Sequence, residues 1–239
     1  MAVSLLSSSI RVDHAGAMTP LDSVCRRLRD DEFSVAGDLL TSAFADDPLF
    51  AGAQPDHALR PSFLAWLFPR LLVRNARAGG QTLAVGDAAA LTGIACWRPA
   101  QNAALAATHR LSEDRIAVPD EILEPLRALG RHEKVLAPFL DAHASGAAHL
   151  ELLAVAPTAQ GTGLARRLVD GVADAARDAG LGSVLLETEQ PANVALYRRL
   201  GFTEVAHVAD GDTLAPTWVF VRPIPSISES NRGTSSRPS

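Results

Sequence analysis

The chain has 239 residues, 47% hydrophobic and 21% charged, so it is long enough to bury a core and is neither a disordered nor a fibrous sequence. Its formal net charge of −5 and pI near 5.8 supply no basic field for a phosphate backbone, which argues against nucleic acid as a partner. The two cysteines, Cys25 and Cys96, are too few for a disulfide framework and have no metal-type spacing, and no apolar run reaches the roughly 18 to 20 residues of a membrane helix.

Residues 1–22 read as a flexible N-terminal extension, with Met18 as an alternative start. Met1 to Ile10 has no basic residue ahead of its short apolar stretch, a poor secretory signal, so a cytoplasmic location is expected. Ser23 to Leu28 is a candidate strand. Glu32 to Phe44 has helical periodicity through Phe33, Val35, Ala36, Leu39 and Leu40, and a loop through Asp46, Asp47 and Pro48 ends it. Ser62 to Ala78 is a second helix, stopped by Gly79 and Gly80. Gln81 to Val85 and Leu91 to Trp97 form a hairpin about Gly86 and Asp87, followed by helices over Asn102 to Arg110 and Asp120 to His143.

Leu150 to Val155 then reads as a strand, Leu164 to Ala179 as an amphipathic helix, Ser183 to Thr188 as a strand and Ala192 to Leu200 as a short helix. Strand, helix and strand with short connections imply a right-handed parallel crossover. Phe202 to Val208 and Thr217 to Arg222 can pair antiparallel, which makes the sheet mixed. Residues 23–223 therefore form one α/β domain of mixed α+β character, and residues 224–239, rich in Ser and Pro, read as a disordered tail.

The chemistry concentrates after the strand at Leu150. Residues Thr158-Ala159-Gln160-Gly161-Thr162-Gly163 join that strand to a helix, so backbone N–H groups at a helix N-terminus face the turn. Such a terminus favours an anion by roughly 0.3 to 1 kcal/mol. Gly161 and Gly163 permit positive φ and close approach, and Arg166 and Arg167 can add contacts to phosphates. A tight structural turn uses the same glycines. A dinucleotide fingerprint would want a third glycine where Arg166 stands, and a triphosphate loop would want Gly-Lys-Ser/Thr, so neither fits.

Gln160-x-x-Gly163-x-Ala165, after an apolar strand ending Val155-Ala156-Pro157, resembles the pyrophosphate loop of the GNAT acetyltransferases. Asn193-Val194-Ala195-Leu196-Tyr197-Arg198-Arg199-Leu200-Gly201-Phe202 resembles that family's closing helix, in register with Leu185-Leu186-Glu187-Thr188. Over Ser23 to Arg222 the chain is similar to the puromycin N-acetyltransferase group of small-molecule-modifying enzymes, with further short matches at Ala43 to Pro48 and Trp97-Arg98-Pro99.

The resemblance implies a central mixed sheet splayed in the middle, with helices on both faces. It implies acetyl-CoA as co-substrate, held by Leu153, Ala154, Val155, Gln160, Gly161, Thr162, Gly163, Leu164, Ala165, Arg166 and Asn193, and no metal. Tyr197, sharing a face with Asn193 four residues away, is the implied general acid; it can also simply pack with Leu196 and Leu200 with its hydroxyl in water. Direct attack by a small-molecule amine in a ternary complex needs no nucleophilic role for Cys25 or Cys96. Base candidates are His149 and Glu151, expected on one face of their strand, and Glu187 on the next, with Glu151 preferred as the catalytic residue. An acceptor pocket is expected from the first two helices, Asp46 to Pro55, and the segment between Trp97 and His149. Asp46 and Asp47 there are either a cation site or solvated loop residues. A protein or peptide N-acetyltransferase and a non-catalytic acyl-CoA sensor are alternatives. No membrane partner is expected, and the chain is read as a monomer or homodimer.

Overall fold

Side chains on a strand alternate between its two faces, and the central strands use that alternation to feed two cores at once. The computed structural model describes residues 25–87, 90–100, 118–209, 211 and 213–225. Seven strands are formed: β1 (Arg26–Arg27), β2 (Gln81–Asp87), β3 (Ala90–Pro99), β4 (Ala147–Val155), β5 (Ser183–Thr188), β6 (Thr203–Val208) and β7 (Thr217–Pro223). They make one sheet in the order β1-β2-β3-β4-β5-β7-β6, in which β4 and β5 are the parallel neighbours and β7 is inserted between β5 and β6.

Helices α1 (Phe33–Ala43), α2 (Pro48–Ala53), α3 (Arg60–Arg77) and α4 (Asp120–Asp141) contribute to the core on one face, with Ala84, Ile94, Cys96, Leu152 and Ala154 of the strands. Helix α5 (Leu164–Asp178) and α6 (Pro191–Arg199) cover the other face, against Leu83, Val85, Ala95, Trp97, Leu153 and Val155. Helix α5 buries Leu164, Leu168, Val169, Val172, Ala173 and Ala176, one stripe of a 3.6-residue period. Each large aliphatic in that stripe contributes roughly 1.5 to 3 kcal/mol by leaving water. On the opposite face Phe44, Phe50 and Phe68 cluster with ring centroids 5.3 to 5.5 Å apart. Helices α1 and α3 cross where Gly37 meets Pro69, so closely that a Cβ on Gly37 would lie 2.7 Å from Pro69 Cγ.

The expected elements appear with shifted ends, and β1 is shorter than the strand expected from Ser23 to Leu28. The helix expected over Asn102 to Arg110, the extension 1–22 and the tail from residue 226 lie outside the described residues. Helix α2 is an addition, formed where a loop was expected. Asp47 caps it by accepting the Leu49 N–H at 3.0 Å, and Pro48 occupies its first turn without wasting a donor. No described helix is long and apolar enough to cross a membrane.

Candidate functional site

Strands β4 and β5 pair only at their starts, Ala147 to His149 against Ser183 to Leu185. Beyond His149, β4 keeps β3 as its partner and β5 keeps β7, so the two parallel strands part at their carboxyl ends. A crevice outside the carboxyl ends of parallel strands is where open α/β sheets receive ligands, because strand edges there lack a strand neighbour. The departure coincides with a bulge in β4. Trp97 lies opposite Leu150 and Cys96 opposite Leu152, leaving Glu151 with no residue across from it. An extra residue of this kind bends a strand and breaks its alternation.

At the crevice, β4 runs through a 3-10 turn (Pro157–Ala159) into the glycine loop and α5. Gly161 and Gly163 have φ of 76° and 82°, and a Cβ on either would meet no atom within 4 Å. Backbone conformation, not crowding within the chain, therefore demands glycine at both. Gly163 is the N-cap of α5 and makes no side-chain cap, so the first-turn N–H groups around Leu164, Ala165 and Arg166 have no side-chain cap. Thr162 Oγ1 donates to the Ala159 carbonyl at 2.7 Å and tightens the loop, and Gln160 Nε2 is buried without a hydrogen-bond partner. Arg166 is exposed and donates to the Arg199 carbonyl at 2.8 Å, tying α5 to the end of α6.

Asn193 and Tyr197 are the buried residues of α6, as their four-residue spacing predicts. The Tyr197 ring packs against Phe202 and Phe220, each 5.7 Å away between centroids, yet its hydroxyl is buried and makes no hydrogen bond. Burial raises the Tyr197 pKa well above that of an ordinary phenol, and the charges of Asp47 and Glu189 raise it further. The hydroxyl is a proton donor at neutral pH. Its burial in the core differs from a tyrosine that merely packs with its oxygen in solvent.

Glu151 projects from the bulge toward α3. Arg98 donates to it at 2.8 Å, Asn75 at 3.2 Å, and Arg74 lies 3.9 Å away. Burial alone would raise this carboxyl, but Arg98, Arg74, His149 and Asn75 outweigh it and hold the pKa well below the usual range. A carboxylate so held is a poor proton acceptor, so the geometry makes Glu151 the centre of an ion-pair cluster that fixes α3 to β3 and β4. His149 is likewise held in a buried pair. Burial, with Arg98 beside it, pushes its pKa down to about 3, and the neutral ring donates Nε2–H to Glu187 at 2.7 Å. Cys96 is inert for the same reason, its thiol pushed up to about 12 by burial and Glu151.

A second polar cluster lies under the crevice. Leu214 N–H donates to His132 Nδ1 at 3.3 Å, which leaves Nε2 of the neutral ring as a donor to Glu189 Oε1 at 3.1 Å. Thr217 Oγ1 stands 3.4 Å from the same oxygen. His132 and Glu189 are both buried, and so is Asp47, which is therefore no solvated loop residue; Asp46 beside it is exposed. The lack of any metal-ligand spacing makes His132 read as a scattered surface histidine, whereas it is buried, and no motif singles out Glu189. One signal was present: His132 falls on the buried stripe of α4 with Ile122, Pro125, Leu129 and Leu136, where an apolar residue belongs. A separate groove between α3 and α4 is lined by Gln54, Leu59, Phe63, Trp66, Glu121 and Ile122. Among the described residues no cluster of three or more His, Cys, Asp or Glu could hold a metal ion.

Residues 129–202, which contain the bulged strand, the glycine loop and the Asn193–Tyr197 helix, match the sequence model of the Acetyltransferase (GNAT) family. Over this segment the chain is similar to the GNAT acetyltransferases. An IAA acetyltransferase from Azospirillum brasilense is 43% identical over 61 residues, 25% of this chain and 40% of that relative, so the match spans less than half of the relative's length. The GNAT sheet as a whole is similar to that of a histone acetyltransferase HPA2 and related acetyltransferase from Corynebacterium glutamicum, at TM-score 0.56 and 20% identity over 84% of this chain and 96% of that one. It is also similar to a polyamine N-acetyltransferase of Drosophila melanogaster, at TM-score 0.54 and 21% identity over 84% of this chain and 99% of that one. At these identities the structural likeness establishes the GNAT fold: a mixed sheet parted between β4 and β5, with helices on both faces.

Proposed function

We propose that the chain transfers an acetyl group from acetyl-CoA to a small-molecule amine by direct attack within a ternary complex. The observation that carries this reading is the parting of β4 and β5 at their carboxyl ends, with the glycine loop and the uncapped N-terminus of α5 following directly from β4; the unbonded Tyr197 hydroxyl on α6 supports it. The residues present fit the co-substrate. Gln160 to Gly163 and the first-turn N–H groups from Leu164 to Arg166 would hold the pyrophosphate, where fixed dipoles favour negative charge. The backbone of Leu153 to Val155 would bond the pantetheine amides, with Asn193 beside the same arm. Acetyl-CoA supplies the activated acyl group and a thiol leaving group. Tyr197 would give its proton to the departing thiolate as the lone pair of the neutral amine bonds to the acyl carbon and the carbon–sulfur bond breaks, and the proton the nitrogen sheds would return to the Tyr197 phenolate or pass to solvent. A positioned acid of this kind is worth about 10²- to 10⁴-fold in rate.

The polyamine N-acetyltransferase of Drosophila melanogaster, which catalyses formation of N-acetylagmatine, supports an amine as the acceptor. The test is thermal denaturation with acetyl-CoA. A ligand bound only by the native state at about 100 times its Kd adds about 2.7 kcal/mol. For a chain of this size that raises Tm by about 5 to 10 °C. No shift at millimolar acetyl-CoA, with a shift absent for coenzyme A as well, refutes the reading.

A further inference from the structure

Two other buried carboxylates, Glu32 and Glu151, are neutralised by arginine. Glu32 is bonded by Arg26 at 2.6 and 2.7 Å, and Glu151 by Arg98 at 2.8 Å. Glu189 is different. Its side chain is fully buried at the end of β5, where β4 and β5 have parted, and its described partners are an imidazole N–H and a hydroxyl, both on Oε1. Oε2 is buried and accepts no hydrogen bond, and no lysine or arginine among the described residues bonds to the carboxylate. The Tyr197 hydroxyl, also buried and unbonded, lies within the field of this carboxylate and of buried Asp47. A buried carboxylate oxygen with no donor is costly in desolvation, and proteins tolerate such a group where a ligand supplies the missing donor. An ammonium group would bring both N–H donors and positive charge.

The orientation of Glu189 is set from behind. The Leu214 N–H fixes the His132 tautomer, His132 Nε2–H fixes Oε1, and Thr217 approaches the same oxygen, so the free oxygen has one direction left. We infer that Glu189, oriented by His132, is the seat of the acceptor's ammonium group, which binds protonated and sheds that proton to solvent before its nitrogen attacks; this restricts acceptors to amines that are protonated in solution. This rests on the acetyl-transfer reading above and adds the residue that recognises the acceptor. Glu189 is the binding group, and His132 acts through it as a positioning residue.

The experiment uses the full chain with acetyl-CoA and agmatine, spermidine, tyramine and tryptamine as probes, with release of free thiol as the readout. At least one of these amines is acetylated by the wild-type protein. Glu189→Gln, which keeps the shape and the bond from His132, raises the KM of that amine on the order of 10-fold or more, because a charge-assisted hydrogen bond is lost. The acetyl-CoA thermal shift and the Tm of the free protein stay at their wild-type values, and Glu189→Asp recovers part of the affinity. The inference is overturned if acetyl-CoA stabilises the protein but none of the four amines is acetylated, or if Glu189→Gln keeps its KM within about twofold of wild type. It is equally overturned if Glu189→Gln loses the acetyl-CoA shift, since Glu189 would then be a structural group. Absence of that shift in the wild-type protein instead refutes the acetyl-transfer reading, which identifies the failure separately.

Discussion

Replacing Arg98 by methionine removes the strongest partner of a carboxylate that has nowhere to go. Glu151 is buried in the β4 bulge, Arg98 donates to it at 2.8 Å, and the remaining contacts are Asn75 at 3.2 Å and Arg74 at 3.9 Å. Breaking a buried ion pair from one side costs about 3 to 5 kcal/mol, because the surviving charge keeps its desolvation penalty. Arg74 and Asn75 still offset part of that penalty here, which puts Arg98→Met at the lower end, about 3 kcal/mol. For a chain of this size the loss is about 6 to 12 °C in Tm. The pH dependence separates this cause from lost packing. In the wild-type protein the folded Glu151 pKa lies below its unfolded value, so the network adds stability above the ordinary carboxylate range that is lost as pH falls through and below it. In Arg98→Met the largest lowering contribution is gone, so the folded Glu151 pKa rises relative to that of the wild-type protein. The penalty is then present at neutral pH and fades as pH falls and the carboxyl takes up a proton. Differential scanning calorimetry across this range therefore shows the Tm gap between variant and wild type narrowing toward acid, and adding Glu151→Gln to Arg98→Met restores part of the Tm at neutral pH. A gap that stays constant with pH, or an Arg98→Met variant as stable as wild type, refutes the assignment of Glu151 as an ion-pair anchor.

Tyr197→Phe removes a buried hydroxyl that has no hydrogen bond, so Tm is unchanged or rises, while turnover falls by about 10²-fold or more with acetyl-CoA affinity retained. Steady-state kinetics beside a melting curve reads both effects, and unchanged turnover removes Tyr197 from the acid role. Gly37→Ala forces a methyl to within 2.7 Å of Pro69 at the α1–α3 crossing and costs about 1 to 3 kcal/mol by overpacking, measured by urea denaturation; a neutral result would show that the helices separate without penalty.

Much of the local geometry around the glycine loop was legible in the sequence. A local pattern fixes a local structure: the stripe on α5, the glycines at positive φ and the four-residue spacing of Asn193 and Tyr197 follow from helix geometry and turn chemistry, which depend on neighbours in the chain. Asp47-Pro48 carried a helix start that went unread as such, because a six-residue helix has too short a period to register. What strand periodicity obscured was the bulge. Strict alternation puts His149 and Glu151 on one face with Leu153 and Val155, whereas the extra residue at Glu151 shifts the phase, so that Leu153 and Val155 pack with Ala148 and Leu150 under α5 while Glu151 turns to α3. Phase is set by the partner strand, and no property of residues 147–155 alone reports it.

The fate of each acidic residue was likewise decided by contacts from far along the chain. Glu151 meets Asn75, Glu187 meets His149, and Glu189 meets His132 across separations of 76, 38 and 57 residues. The sequence by itself determined that a glycine loop and a tyrosine helix would follow a strand in the right register, because those features are built from short-range backbone geometry. Only the tertiary structure decided that Glu32 and Glu151 are neutralised by arginine while Glu189 keeps a buried oxygen without a hydrogen bond, because burial and charge pairing are properties of the packed chain.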